Sequence, residues 1–267
     1  MKQAIQSVVM LGAGNVATHM ARAFKDSSVE VLQVYSRTFS SAEALASQID
    51  CQATSELDKL TDRADLYVIS VSDDAIAGLA ERFPLKDRFL VHTSGTTGIN
   101  VLDAATKRGG VFYPLQTFSK EVDVDFSEVP LCLEAARDED YCLLEQLAGR
   151  LSDTVARVSS IERRQVHVAA VFACNFVNHM YTIAADLLEE NDLSFDLLKP
   201  LVQETARKVM HASPLSAQTG PARRNNRKVI KTHLRMLEAN PGYREIYNFV
   251  SESIINRYKE ENKAETE

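Results

Sequence analysis

Gly12-Ala13-Gly14-Asn15-Val16-Ala17 follows the apolar run 8–11 and fits the pattern Gly-x-Gly-x-x-(Gly/Ala). The first glycine permits a tight turn, the second lets backbone amides at Asn15 and Val16 approach an anion, and Ala17 allows helix and strand to pack closely. A helix starting near Asn15 aims the positive end of its dipole at a pyrophosphate. In a strand–turn–helix setting this is the chemistry of dinucleotide binding; a bare structural turn is the competing reading. The second strand, 29–36, ends in Ser36-Arg37-Thr38. NAD-binding domains place an acid here to accept from the ribose 2′-hydroxyl. Glu30 is acidic but opens the strand, several residues too early. A guanidinium flanked by two hydroxyls suits a 2′-phosphate dianion, so the expected cofactor is NADP. The alternative is that Arg37 is a solvated strand-end charge.

Other candidates follow later strands. Ser70, Val71 and Ser72 close the strand 66–72 and are expected on the nicotinamide side of the rim. Asp73 or Asp74 is expected to cap the helix 75–83. His92, Ser94 and Gly95 follow the strand 88–93, and Pro114 and Gln116 follow the strand 109–113; all five are expected to meet the substrate. On the long helical pattern 161–190, His167, Cys174 and Asn178 fall within about 40° of one another at 100° per residue, and Asn175 lies about 60° beyond Asn178. Polar groups in so apolar a run need partners or a ligand, since leaving one buried and unpaired costs about 1–3 kcal/mol. Arg223, Arg224 and Arg227 form a small basic loop after Gly220-Pro221. It is read equally as a carboxylate or phosphate site, with Arg223 as the candidate, and as a solvated connection. No metal-ligand spacing, nucleophile elbow or Walker loop occurs.

The elements that position these residues alternate up to residue 158. Strands are expected at 6–12, 29–36, 66–72, 88–93, 109–113, 129–133 and 154–158, and helices at 15–25, 40–49, 73–83, 99–108 and 138–151. Continuously apolar strands between helices predict a Rossmann-type, doubly wound, parallel α/β sheet covered on both faces. After Ser159 only helical patterns remain, at 161–190, 195–212, 226–239 and 242–259. The expected organisation is an α/β domain over 1–158, an all-α domain over 159–260, and a charged, frayed tail over 261–267.

Composition narrows the class further. Thirty basic against 37 acidic side chains leave a net charge of −7, which argues against nucleic-acid binding. Cys51, Cys132, Cys142 and Cys174 have no Cys-x-x-Cys spacing and are expected as free thiols in a reducing cytoplasm. The N-terminus lacks a signal-peptide cleavage site, and no uninterrupted apolar run approaches the roughly 18 residues of a membrane span.

The stretches GAGNVA (12–17), HTSGT (92–96), YPLQTFS (113–119), HVAAVFACNF (167–176) and TGPARRN (219–225) together give a resemblance over nearly the whole chain. It resembles bacterial Rossmann-like proteins assigned as NADP oxidoreductases, with a C-terminal helical domain of unknown function. These are distant kin of pyrroline-5-carboxylate reductase, 6-phosphogluconate dehydrogenase and deazaflavin-dependent NADP reductases. Tyr113 stands where many members carry His before the Pro, and Arg224-Asn225 replaces an expected Gly-Asp. The resemblance implies that the long helix supplies catalytic polar residues to an interdomain cleft. His167 is then the candidate proton donor, and Asn175 the candidate for orienting a substrate oxygen or the carboxamide. Interhelical or dimer-interface hydrogen bonding is the competing role for both. The resemblance also implies a homodimer formed through the helical domain. The expected function is an NADP-dependent oxidoreductase acting on a small, anionic substrate; the alternative is a non-catalytic NADP-binding sensor or interaction module.

Overall fold

The computed structural model describes residues 4–264. Contacts divide the chain into two compact units, one ending at Phe176 and the other beginning at Val177.

The first unit is built on an eight-stranded sheet. Its strands are β1 (Ser7–Leu11), β2 (Glu30–Tyr35), β3 (Gln52–Thr54), β4 (Leu66–Ile69), β5 (Leu90–His92), β6 (Gly109–Pro114), β7 (Leu131–Ala135) and β8 (Val155–Arg157), in the order β3-β2-β1-β4-β5-β6-β7-β8. Between them run α1 (Asn15–Asp26), α2 (Phe39–Ile49), α3 (Asp73–Glu81) and α4 (Asp138–Ala148). Val8, Met10, Val34 and Val68 face one side with Met20, Phe24 and Leu45, while Val9, Leu11, Tyr67 and Ile69 face the other with Ile76 and Leu79. Both faces are therefore buried, which is why the strands read as unbroken apolar runs. Leu11 lies level with Tyr35 on β2 and Ile69 on β4, and Ile69 lies level with His92 on β5. The loops after β1, β2, β4 and β5 thus open on one edge of the sheet. The strand order reverses between β1 and β4, the place where open α/β sheets form a ligand crevice.

Three sequence expectations are corrected. β7 runs antiparallel to β6, with Tyr113 opposite Cys132; an apolar strand buried on both faces carries no mark of its direction. β3 is an extra strand of three residues, too short for a periodic signal. The helix expected over 99–108 is only a 3-10 turn, Ile99–Leu102, because the chain must return to β6 at Gly109, and the Thr106 hydroxyl is drawn to the Arg88 carbonyl at 2.7 Å.

The long helix begins where the sequence sets a capping box. The Ser159 hydroxyl accepts from the Glu162 amide, and the Glu162 carboxylate accepts from the Ser159 amide at 2.7 Å. It runs as α5 (Ser160–Ala170), a wide π-turn (Val171–Phe176) and α6 (Val177–Glu189). The π-turn breaks the 100° periodicity that grouped His167 with Cys174 and Asn178. Over its best 18 residues the helix has a mean hydropathy of 1.3 with only 6% of that window buried. By length and composition alone it is able to cross a membrane.

The second unit adds α7 (Lys199–His211), α8 (Pro214–Ala217), α9 (Arg227–Met236) and α10 (Pro241–Ala264). Ala222, Ile230 and Ile255 form its small core, and the His233 ring meets the Tyr247 hydroxyl at 2.8 Å. The backbone of the expected tail is helical to Ala264; residues 265–267 lie outside those described.

Candidate active site

Gly12 holds φ at +137°, and a Cβ there would lie 2.0 Å from the Ser70 carbonyl oxygen. No side chain fits, so β1 and β4 meet through bare backbone at the point where the chain turns away. Two hydrogen bonds lock the turn: Gly12 N–H donates to Tyr35 at 2.8 Å, and Ser70 N–H donates to Leu11 at 2.8 Å. Gly14 takes the N-cap position of α1 without a side-chain cap, and a Cβ there would meet nothing within 4 Å. The first amides of α1 therefore face open space with the positive end of the helix behind them, a ready anion site.

That space is a cavity of about 860 Å³, within the range of small-molecule sites, and all its walls belong to the first unit. Gly12, Gly14, Asn15 and Val16 form its middle, and Ser70, Val71 and Ser72 border them. At one end stand Ser36, Arg37 and Ser41, with Leu79 of α3 and Arg82 just after that helix alongside. Arg37 is exposed and, among the described residues, has no ion-pair partner. Thr38 is adjacent but does not line the cavity; its amide reaches Ser36 Oγ at 3.4 Å. At the other end stand Ser94, Gly95, Pro114, Gln116 and His167, joined by Thr93 and Tyr113.

Neither Asp73 nor Asp74 caps α3. Ser72 holds the N-cap position without a side-chain bond, and both acids sit in the first turn. The Asp73 carboxylate instead accepts from the Thr96 hydroxyl, tying α3 to the loop after β5. Three sequence candidates lie away from the cavity walls. His92 is wholly buried behind them. Asn175 is exposed on the π-turn. Arg223, in the second unit, stacks its guanidinium 3.9 Å over the Tyr258 ring.

What sequence reasoning missed lies beneath the cavity. Arg163, one helical turn before His167, is 0% exposed. Its guanidinium donates to Ser94 O at 3.1 Å, Thr97 O at 2.5 Å and the Glu134 carboxylate at 2.5 Å. Ser160 Oγ donates to the same carboxylate at 2.7 Å. A buried charge is tolerated only when paired and hydrogen-bonded, and here its donors fix the loop 94–97. That loop presses Gly95 against two rings: a Cβ on it would lie 2.6 Å from His167 Nδ1 and 2.9 Å from Tyr113 Cζ. The rings meet through Tyr113 Oη and His167 Nδ1, 3.1 Å apart. Burial pushes the Tyr113 phenol up to about 12.

His92 is held neutral. Burial first, then the neighbouring Arg163 charge, lowers its pKa to about 4. Its Nδ1 accepts from the Ser94 amide at 3.2 Å, a bond that protonation would turn into two opposed donors. Among the described residues its Nε2 has no hydrogen-bond partner. Because the folded value lies below the unfolded one near 6.5, this residue costs no stability above pH 6.5 and removes it as pH falls toward 4. The full loss is about 3 kcal/mol, from roughly 1.4 kcal/mol per pH unit. Thermal unfolding midpoints should fall over that window, and more gently in His92→Asn; identical slopes for the two proteins would contradict this account.

Comparison with known proteins fits this geometry. Residues 1–117 match a Rossmann-like domain, and residues 129–254 match the Domain of unknown function (DUF2520). A Bacteroides fragilis protein provisionally assigned as an NADP oxidoreductase is 42% identical, with a TM-score of 0.88 over 94% of this chain and 98% of that one. The chain belongs to the family of that protein. Members pair a Rossmann-like domain with a helical C-terminal region, as this chain does. A Thermotoga maritima protein (19% identity, TM-score 0.73, 96% and 99% of the two chains) has the same fold. So does pyrroline-5-carboxylate reductase from Coxiella burnetii (17% identity, TM-score 0.56, 97% and 98%). No curated protein matches the sequence.

Proposed function

We propose that this chain binds NADP(H) in the cavity and transfers a hydride to or from a small, anionic substrate at the Tyr113–His167 end. One observation carries the cofactor reading: an uncapped helix N-terminus behind Gly12, with a guanidinium at the tip of β2 that has no ion-pair partner among the described residues, and no carboxylate beside it. The α1 amides would hold the pyrophosphate, and Arg37 with Ser36 and Ser41 the 2′-phosphate. The provisional assignment of the 42% identical Bacteroides protein supports the same cofactor. When bound, the dinucleotide supplies the hydride. Tyr113 and His167 on the cavity wall support an enzyme over a binding module without turnover, because such a module needs no acid–base pair. Calorimetry on the native protein should give at least about tenfold tighter binding of NADPH than of NADH, roughly 1.4 kcal/mol; equal affinities would contradict the reading.

The substrate end offers hydroxyls, an amide and an imidazole above the buried Arg163, a set that supports an anionic ligand. The unpaired state of all four cysteines supports a reducing, cytoplasmic setting. A homodimer is supported by the stripe Val168, Phe172 and Phe176 on the long helix, which is 58%, 64% and 47% exposed. Light scattering should then give about twice the chain mass of 29.7 kDa; the monomer mass at micromolar concentration would contradict it.

A further inference from the structure

On the NADP(H) reading above, we infer that Tyr113 is the acid–base residue of this site, that His167 relays its proton, and that the substrate is a carbonyl–alcohol pair rather than an imine–amine pair.

The sequence points to His167 as the donor. In the structure its Nδ1 is turned onto Tyr113 Oη at 3.1 Å. Tyr113 comes from the end of β6 and lines the cavity beside Pro114 and Gln116. Gly95 fits against both rings only because it lacks a side chain, and the loop that carries it is fastened by Arg163. The hydroxyl is thus placed by three elements at once, as a proton donor must be. His167 is half-buried, so its ring connects the phenol to solvent.

Charge selects the substrate class. At this end the polar wall residues are Thr93, Ser94, Tyr113, Gln116 and His167, none of them acidic. Asp73 supplies the carboxylate of the wider wall, and it is already engaged by Thr96. A developing oxyanion would find the Tyr113 phenol as donor, whereas the Asp73 carboxylate is turned onto the Thr96 hydroxyl rather than toward an iminium cation. The groups facing Tyr113 act in both directions. Burial, Cys132 on β7 and Asp73 on α3 hold its proton, while Arg163 on α5 loosens it, with the phenol left near about 12. A proton held that firmly still goes downhill to an alkoxide, a much stronger base than a phenolate.

In the reducing direction a hydride forms the new C–H bond at the carbonyl carbon, and the C=O π pair moves to oxygen. That oxygen takes the proton of Tyr113 Oη. The phenolate is reprotonated from His167 Nδ1, and the ring takes a replacement proton from solvent.

The test uses the full chain as native protein, Tyr113→Phe and His167→Ala. Nitrogen NMR of the His167 ring should show Nδ1 shifting in Tyr113→Phe. NADPH should bind Tyr113→Phe within about threefold of native. NADPH oxidation is then followed with glyoxylate, pyruvate and acetaldehyde as carbonyl probes and 1-pyrroline as the imine probe. Expected are turnover of at least one carbonyl and none of 1-pyrroline. Tyr113→Phe should lower kcat at least about 100-fold, within the usual range for a general acid. His167→Ala should lower kcat by about tenfold, with partial recovery on adding imidazole. Four results would each overturn the inference: an unmoved Nδ1 signal, Tyr113→Phe kcat within threefold of native, reduction of 1-pyrroline but no carbonyl, or NADPH binding with no carbonyl reduced. Failure of NADPH to bind would instead remove the reading on which the inference rests, and the inference with it.

Discussion

Arg163→Ala is expected to destabilise the protein by about 3–5 kcal/mol, the usual cost of removing one partner from a buried ion pair. The Glu134 carboxylate loses its ion-pair partner, keeping only the Ser160 hydroxyl, and the carbonyls of Ser94 and Thr97 lose their guanidinium donor. The expected fall in melting temperature is about 6–20 °C, at roughly 2–4 °C per kcal/mol for a chain of this size class. Glu134→Gln keeps an acceptor and should cost less. Arg163→Leu combined with Glu134→Leu should recover part of the loss, because neither charge is then stranded. A fall of less than about 2 °C in Arg163→Ala would contradict the role given to this residue. The same substitution loosens the loop that seats Gly95 against Tyr113 and His167, so stability and site geometry fail together.

Arg37→Glu is expected to weaken NADPH binding by about 100-fold or more, roughly 2.7 kcal/mol. A charge-assisted fork on the 2′-phosphate is replaced by repulsion. NADH binding should hold or improve, since a carboxylate at this position can accept from the 2′-hydroxyl. The preference therefore reverses. Arg37 is exposed and, among the described residues, has no ion-pair partner, so the melting temperature should stay within about 1 °C, as for an ordinary surface substitution. An NADPH affinity within threefold of native would show that the phosphate sits elsewhere.

The cofactor half of the site was the legible half. Gly12, Gly14 and Arg37 are chain-local signals: a glycine pattern after an apolar run, and the residue types at a strand tip. Loops after parallel strands open on one edge, so Ser70, Ser94 and Gln116 could be placed on the rim without coordinates. The substrate half depends on partners far apart in sequence. Arg163 meets Glu134 across 29 residues and Ser94 across 69, and no local pattern announces either pair. Tyr113 stood out only as a departure from a resemblance; its contact with His167 emerges once β6 and α5 bring the two rings together. His92 was expected at the rim because it ends a strand, yet β5 stops at His92 with that side chain turned inward at 0% exposure. Strand direction and helix winding were hidden for another reason. The antiparallel β7 is as apolar as its parallel neighbours, and the π-turn at Val171–Phe176 interrupts a run that reads as continuous helix.

A crystal structure of the full chain with NADP⁺ tests the central claim most directly. The account predicts the pyrophosphate against the amides of Asn15 and Val16, within about 3.2 Å as hydrogen bonding requires. It predicts the 2′-phosphate in contact with the Arg37 guanidinium, and the nicotinamide ring beside Tyr113 Oη. A dinucleotide bound outside this cavity, or lying within it with the adenosine ribose at the Tyr113 end, would contradict it.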